Sequence, residues 1–350
     1  MKRIITVFIV LVLVVSLAAC TSTKTNPSSP SSSASSAFKV GMATDVGGIN
    51  DQSFNQSAWE GLQLFKTETG ASVSYLESKQ ETDYGSNLDK LADQGNNIIW
   101  GIGFAMGDAV KTAAGKYPDK TYAIVDYAYG AGASKNLIGV VFKAQEPSFL
   151  VGYIAAKTTK TNKIGFVGGI KGDVIDQFEY GFRSGVAYAA KELKKTITVE
   201  VQYADSFTDQ AKGKAIAKTM YTNGCDIVFH AAGGVGIGVI DAAKEAKKWV
   251  IGVDRDQSSL APSNVLTSAM KLVGKAIDIV STKLKNGEKL AGTTQVFGIK
   301  EACAGLPSSN PNVAADVLTS VQTVQADIIS GKISVPFNKT TFDAYITALK

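Results

Sequence analysis

From Phe38 onward, short runs of β-branched and apolar residues alternate with amphipathic stretches of helical period. No other feature constrains the fold as tightly. Parallel neighbours cannot be joined by a tight hairpin, so each needs a crossover, and helices serve as crossovers while covering both faces of the sheet. Strands are expected at 38–43, 72–76, 97–100, 122–125, 137–141, 163–167, 198–203, 226–230, 249–253, 265–268 and 294–299. Helices fit between them at 84–93, 105–115, 147–159, 178–193, 211–222, 238–247 and 273–286. The expected class is α/β with doubly wound parallel sheets.

The series runs through five strands, crosses over near Glu146 to Thr159, and restarts at Lys163. That restart predicts two lobes rather than one oversized sheet. Glycine-bearing strand ends recur in both halves, at Gly101-Ile102-Gly103, Gly168-Gly169 and Gly233-Gly234, as expected for equivalent lobes facing across a cleft. The first lobe is expected to take residues 38–145 plus about 271–300, and the second 146–270 plus about 301–350. Several strands would join them as a hinge. Residues 311–330 are expected to form a terminal helix ended by Gly331.

Ligands of open α/β sheets bind where strands end and helices begin. The segment Thr44 to Leu62, TDVGGINDQSFNQSAWEGL, sits at such a junction. Gly47-Gly48 reads as a turn that needs permissive backbone angles, and Ser53 with Gln56 as a capping box. Phe54, Ala58, Leu62 and Phe65 recur at helical spacing. The strand and helix account for themselves as scaffold. Asp45, Phe54 and Asn55 crowd the one edge a small molecule can reach, and are read as a ligand site.

Met1-Lys2-Arg3 is a cationic head followed by an almost wholly apolar Ile4 to Leu17 and then Leu17-Ala18-Ala19-Cys20. Residues 1–19 read as a secretion signal. The apolar run is shorter than the roughly 20 residues a spanning helix needs. Leu-Ala-Ala-Cys resembles the bacterial lipobox, in which the cysteine becomes the acylated N-terminus; an ordinary signal with a chance cysteine is the alternative. Residues 20–37 read as the anchor cysteine and a serine-rich tether with nothing to bury. Removing Lys2 and Arg3 from 36 basic residues leaves 34 against 31 acidic, a formal charge of about +3. The lysines are scattered, which argues against nucleic acid as a partner. Cys225 and Cys303 remain; Cys225 precedes an apolar run and reads as a small buried residue, with a bridge between the two left open.

Catalysis finds little support. The single histidine, His230, ends an apolar strand with no legible serine or carboxylate partner, and reads as a core or rim residue. No His, Cys, Asp and Glu cluster has metal-ligand spacing. The glycines from Gly233 to Gly238 lack the order of a dinucleotide loop, and no phosphate loop occurs. No cofactor is expected.

Binding fits better. Asp126 and Asp254 end apolar strands as Asp45 does, and Lys271 lies just past another. Carboxylates there accept from hydroxyl and amino donors, although for each alone a helix cap or a surface ion pair serves as well. Phe54 and Phe207, the latter in the polar turn Ala204 to Asp209, either pack under their own loops or project into the cleft. Projecting, they would hold a flat heteroaromatic ring, each stacked face adding about 1 to 3 kcal/mol. A flat ring with hydroxyls is a nucleoside.

The stretch Asp45 to Leu62, together with Gly252-Val253-Asp254-Arg255-Asp256-Gln257, Leu266 to Lys271 and Gly331 to Pro336, resembles the basic membrane protein family of bacterial ABC-transporter substrate-binding lipoproteins, and within it the purine nucleoside receptor A group. The resemblance implies a type I periplasmic-binding-protein fold, two Rossmann-like lobes closing on a nucleoside. It implies Phe54 and Phe207 sandwiching the base, Asp45, Asn55 and Asp126 addressing its polar edge, Asp254 with Lys271 holding the ribose, and Gly234 letting backbone approach. Arg255 stands where a small residue is common, so the rim beside Asp254 differs. The implied protein is no enzyme; it is a monomer working with ABC permease subunits, lipid-anchored on the extracytoplasmic face of the cell membrane. Alternatives are a sugar or other solute in the same cleft, a surface sensor or adhesin, and a nucleoside-cleaving enzyme.

Overall fold

A computed structural model describes residues 38–130 and 134–349. The expected signal, the Cys20 anchor and the serine-rich tether fall outside the described residues. The first sheet collects β1 (Lys39–Thr44), β2 (Ser72–Leu76), β3 (Ile98–Ile102), β4 (Thr121–Val125) and β5 (Leu137–Phe142). Helices α1 (Phe54–Thr69), α2 (Asp83–Asp93) and α3 (Gly107–Lys116) intervene, and α4 (Gln145–Thr158) crosses to the second sheet. There β6 (Lys163–Gly168), α5 (Asp173–Leu193), β7 (Thr198–Tyr203), α6 (Gln210–Thr222), β8 (Ile227–Ala231), α7 (Val235–Ala246), β9 (Trp249–Asp254) and β10 (Val265–Lys271) repeat the pattern.

The chain then returns. Helix α8 (Val273–Lys285) packs on α1, and β11 (Thr294–Phe297) pairs parallel with β5, so both join the first sheet's layers. The short β12 (Ala304–Gly305) pairs antiparallel with β10, and α9 (Ala315–Ile329) and α10 (Lys339–Leu349) finish on the second lobe. The two sheets have the same strand order, β11-β5-β4-β3-β1-β2 and β12-β10-β9-β8-β6-β7. Every pair between named strands is parallel except the one with β12. The protein is therefore an α/β fold of two doubly wound lobes.

Central strands such as β3, with sequence IIWGI, are buried at every residue because helices cover both faces, whereas edge strand β2 is only partly buried. Three segments cross between lobes, around Phe142 to Gln145, Lys271 to Val273 and Phe297 to Ala304. They are stitched together: Lys143 N–H donates to Phe297 O at 2.8 Å and Leu272 N–H to Cys303 O at 2.9 Å.

The close contact of α1 with α8 depends on glycine. A Cβ on Gly61 would stand 2.1 Å from the Gly274 carbonyl oxygen, closer than any side chain tolerates. Gly274 N–H also donates to Ser57 Oγ at 3.2 Å. This packing fixes the helix whose first turn carries Phe54 and Asn55.

Two expectations need correction. Ser53 does not cap α1 through its side chain; Asp51 does, accepting from the N–H groups of Ser53, Asn55 and Gln56 at 2.9, 2.8 and 3.1 Å. The helix expected at 311–330 starts at Ala315 and is not terminal, because α10 follows and rests Phe342 against Tyr180 of α5. Cys225 and Cys303 are free and buried in separate clusters. Among the described residues, no helix is long and apolar enough to cross a membrane.

Candidate functional site

The carboxyl ends of β1 and β3 in one lobe and of β8, β9 and β10 in the other face each other around a cavity of about 230 Å³. Phe54 and Asn55 enter it from the first turn of α1, and Phe207 from the turn before α6. Asp45, Asp254 and Lys271 also line it. The cleft thus gathers six of the eight expected binding residues.

The other two stand just off its wall. Gly234 lies next to the lining residue Gly233, at the start of α7 and under the Phe207 carbonyl; Gly233 has φ of 54°. Asp126 is not at the cavity wall either. Its Oδ2 is held 2.5 Å from Lys271 Nζ, with both side chains almost fully buried.

Lys271 is the positive centre of the site. Its Nζ lies 4.5 Å from the Phe54 ring centroid, 5.5 Å from that of Phe142 and 5.6 Å from that of Phe178. Ring quadrupoles attract an ammonium at such distances. With Asp126 bound on one side and aromatic rings around it, the ammonium has a fixed place at the end of β10.

Against this one cation stand several acids. Asp45 Oδ1 accepts from Gly47 N–H and from Asn55 Nδ2, each at 2.8 Å. Burial is the largest influence on Asp45 and pushes its pKa up to about 6, with Asp51 and Asp126 adding repulsion. Asp254 is likewise pushed up to about 6, chiefly by burial, while Lys271 and the Ser53 hydroxyl pull it back. Dehydrated carboxylates facing a cavity are strong acceptors for ligand O–H and N–H groups. Gly103, with φ of 116°, is required here: a Cβ would stand 3.1 Å from Asp45 Oδ2 and 3.6 Å from the Phe54 ring.

The rings differ in their support. Phe54 packs partly on the first lobe's core, and Phe207 on the second's. Phe207 also lies against the Gly169 backbone and meets Phe104 edge-on, centroids 6.4 Å apart at 74°. Phe104 and Phe178 line the cavity and were missed in the sequence. Phe104 directly follows the glycine-bearing end of β3, which was the available signal. The expected helix starts at Phe178, but α5 begins five residues earlier at Asp173 and presents Phe178 on its inner face.

The lobes also touch directly. Ser53 Oγ donates to Asp254 Oδ2 at 2.5 Å, Gln257 Nε2 to Gln52 O at 2.9 Å, and Arg255 pairs with Glu60 at 2.6 Å. Arg255, which departs from the expected small residue, thus spans the cleft to α1. His230 is fully buried beneath Gly236; neither ring nitrogen makes a hydrogen bond, although Gln257 is nearby. Burial pulls its pKa down to about 4, so it is a neutral core residue.

Two lobes of matching topology with a chemically mixed cavity between their strand ends define a solute-binding protein. The comparisons with known proteins carry this further: residues 38–339 match the family described as ABC transporter substrate-binding protein PnrA-like, and the chain belongs to that family. It is a family of substrate-binding proteins, not of enzymes. The CD4+ T-cell-stimulating antigen of Listeria innocua is 42% identical over 320 residues, covering 85% of this chain and 88% of that protein. The ABC transporter nucleoside-binding protein BmpA of Lactococcus lactis is 41% identical over 319 residues, 85% and 89% of the two chains. An ABC transporter solute-binding protein from Aeropyrum pernix superposes with a TM-score of 0.79 at 25% identity, over 89% of this chain and 97% of that one. The fold is accordingly the type I periplasmic-binding-protein fold expected from the sequence.

Proposed function

We propose that this protein is the extracytoplasmic receptor of an ABC importer for purine nucleosides, anchored through acylated Cys20 and closing its lobes around the ligand. One observation carries the reading. A cavity between the lobes has Phe54 on one wall and Phe207 on the other, with carboxylates and Lys271 lining the rest. Flat apolar walls suit a base, and ionised groups at the strand ends suit the hydroxyls of a pentose. The relative in Lactococcus lactis, whose name states nucleoside binding, supports the same class.

The contacts between the lobes support closure. Ser53 with Asp254, Gln52 with Gln257 and Glu60 with Arg255 each join one lobe to the other, so separating the lobes breaks all three. A ligand touching both lobes stabilises this arrangement over an open one, and only that difference in affinity can shift the balance. A micromolar dissociation constant corresponds to about 8 kcal/mol, within reach of two stacked faces and a few buried polar contacts. The closed receptor, a monomer, then delivers its solute to the permease subunits. The acyl chain would hold it at the membrane surface, each buried methylene adding about 0.8 kcal/mol.

Native mass spectrometry of protein purified without added solute, followed by calorimetry with inosine, adenosine, guanosine and free ribose, tests the assignment. Bound nucleoside mass, or tight binding of a nucleoside with weak binding of ribose, is expected. A co-purifying sugar with no heat from any nucleoside overturns it. Fatty-acid labelling lost in Cys20→Ala tests the anchor separately.

A further inference from the structure

Asn55 is only 2% exposed, and the two ends of its side-chain amide are in different situations. Nδ2 donates twice, to Asp45 Oδ1 at 2.8 Å and to Asp51 Oδ2 at 3.0 Å. Oδ1 is buried with no hydrogen-bond partner. Amide ends can be exchanged in principle, but here the exchange would set an oxygen against two carboxylate oxygens. The orientation is therefore fixed. Asp51 is itself immobilised, since its Oδ1 accepts from Ser53 N–H and Gln56 N–H while its Oδ2 takes Asn55 N–H. Asn55 lines the cavity, so the one polar atom it has left for a ligand is an acceptor.

Asp45 has the same character. Its Oδ1 is occupied by Gly47 N–H and Asn55 Nδ2, which leaves Oδ2 without a protein partner. This end of the cavity thus offers oxygens. We propose that Asp51 is a positioning residue for specificity: by clamping the Nδ2 end of Asn55 it leaves the buried carbonyl as the amide's unpartnered end and makes the site require a base that presents an N–H donor. The inference rests on the nucleoside reading above and adds which nucleosides qualify. Adenine, guanine and hypoxanthine each carry an N–H on the edge remote from the sugar. Purine riboside has the same rings and pentose but no N–H on its base. In its complex the Asn55 carbonyl would stay dehydrated and unpaired, the circumstance in which a site built for a hydrogen bond rejects the analogue that lacks it.

The test is calorimetric titration of the whole protein with adenosine, inosine and purine riboside, repeated on Asp51→Asn. Wild-type protein is expected to bind purine riboside at least tenfold more weakly than the better of the other two. In Asp51→Asn the clamp on the amide is lost, and the gap is expected to shrink several-fold, whereas a merely structural defect would weaken all three ligands alike and keep their ratio. Purine riboside binding within threefold of the others in wild-type protein overturns the proposal without needing the variant, and leaves the nucleoside reading standing. Failure of all three to bind overturns the nucleoside reading and this inference with it.

Discussion

Asp126 and Asp254 stand at the ends of equivalent strands, β4 and β9, third in order in their sheets, and both adopt the left-handed conformation with φ of 64°. Non-glycine residues held there carry strain of about 1 kcal/mol or more, which persists where surroundings over-determine it. The same position is put to two uses. Asp126 is bound to Lys271, whereas Asp254 lines the cavity and takes the Ser53 hydroxyl from the opposite lobe. Asp254→Ala is therefore expected to weaken nucleoside binding at least tenfold, about 1.4 kcal/mol, with no loss of thermal stability. Asp126→Ala leaves a buried ammonium unpaired and is expected to lower unfolding stability by about 3 kcal/mol. Calorimetry and denaturant unfolding separate the two; unchanged affinity in the first variant, or unchanged stability in the second, contradicts these roles.

Phe54→Ala and Phe207→Ala should each reduce affinity for a nucleoside by about 1 to 3 kcal/mol while altering free ribose much less. Phe207 has Phe104 at its edge and Gly169 beneath it, so its loss removes a supported wall. Phe54 also faces the Lys271 ammonium, so some ribose effect is expected there. Equal losses for nucleoside and ribose in both variants argue against stacking.

The strand and helix series was largely legible because hydrophobic period changes at each junction, and the restart at Lys163 marks the second lobe in sequence as it does in space. Less was legible where a signal depends on partners far along the chain. Ser53 has the residue type and spacing of a capping box, but its hydroxyl is drawn across the cleft to Asp254, 201 positions away, and Asp51 serves the helix instead. Gly331 reads as the stop of the last helix, although Asn338 Oδ1 accepts from Thr341 N–H at 2.9 Å and opens α10. Asp126 and Asp254 look alike in sequence because both follow apolar strands. Only the position of Lys271, brought over on β10, separates their roles.

Acidification should weaken binding. Asp45 and Asp254 carry pKa values raised to about 6 by burial, so in the free protein both take up protons as pH falls through 6. Ligand donors favour the ionised carboxylates, so affinity is fully expressed above that range and is lost below it. Between pH 7 and pH 5 the dissociation constant for inosine should rise roughly tenfold or more, measured by calorimetry in buffers of matched ionic strength. A flat profile, or tighter binding at pH 5, contradicts the role given to these two acids.

His230 predicts a separate pH effect, on stability. Its folded pKa of about 4 lies below the ordinary 6.5, so the unfolded chain binds the extra proton across that window. Its neutral burial contributes fully above pH 6.5 and is lost toward pH 4, by about 3 kcal/mol at most. His230→Leu should match or exceed wild-type stability at pH 7 and lose less on acidification, as read by urea unfolding at pH 7 and 4.5. The same acid slope in both proteins would show that the imidazole plays no part.

The most direct measurement is a crystal structure of the protein with inosine bound. The base should lie between the rings of Phe54 and Phe207, its polar edge toward Asp45 and Asn55, and the pentose hydroxyls against Asp254 and Lys271. A complex in which either phenylalanine turns into its own lobe, away from the bound solute, or in which the pentose lies at the Asn55 end, contradicts the account.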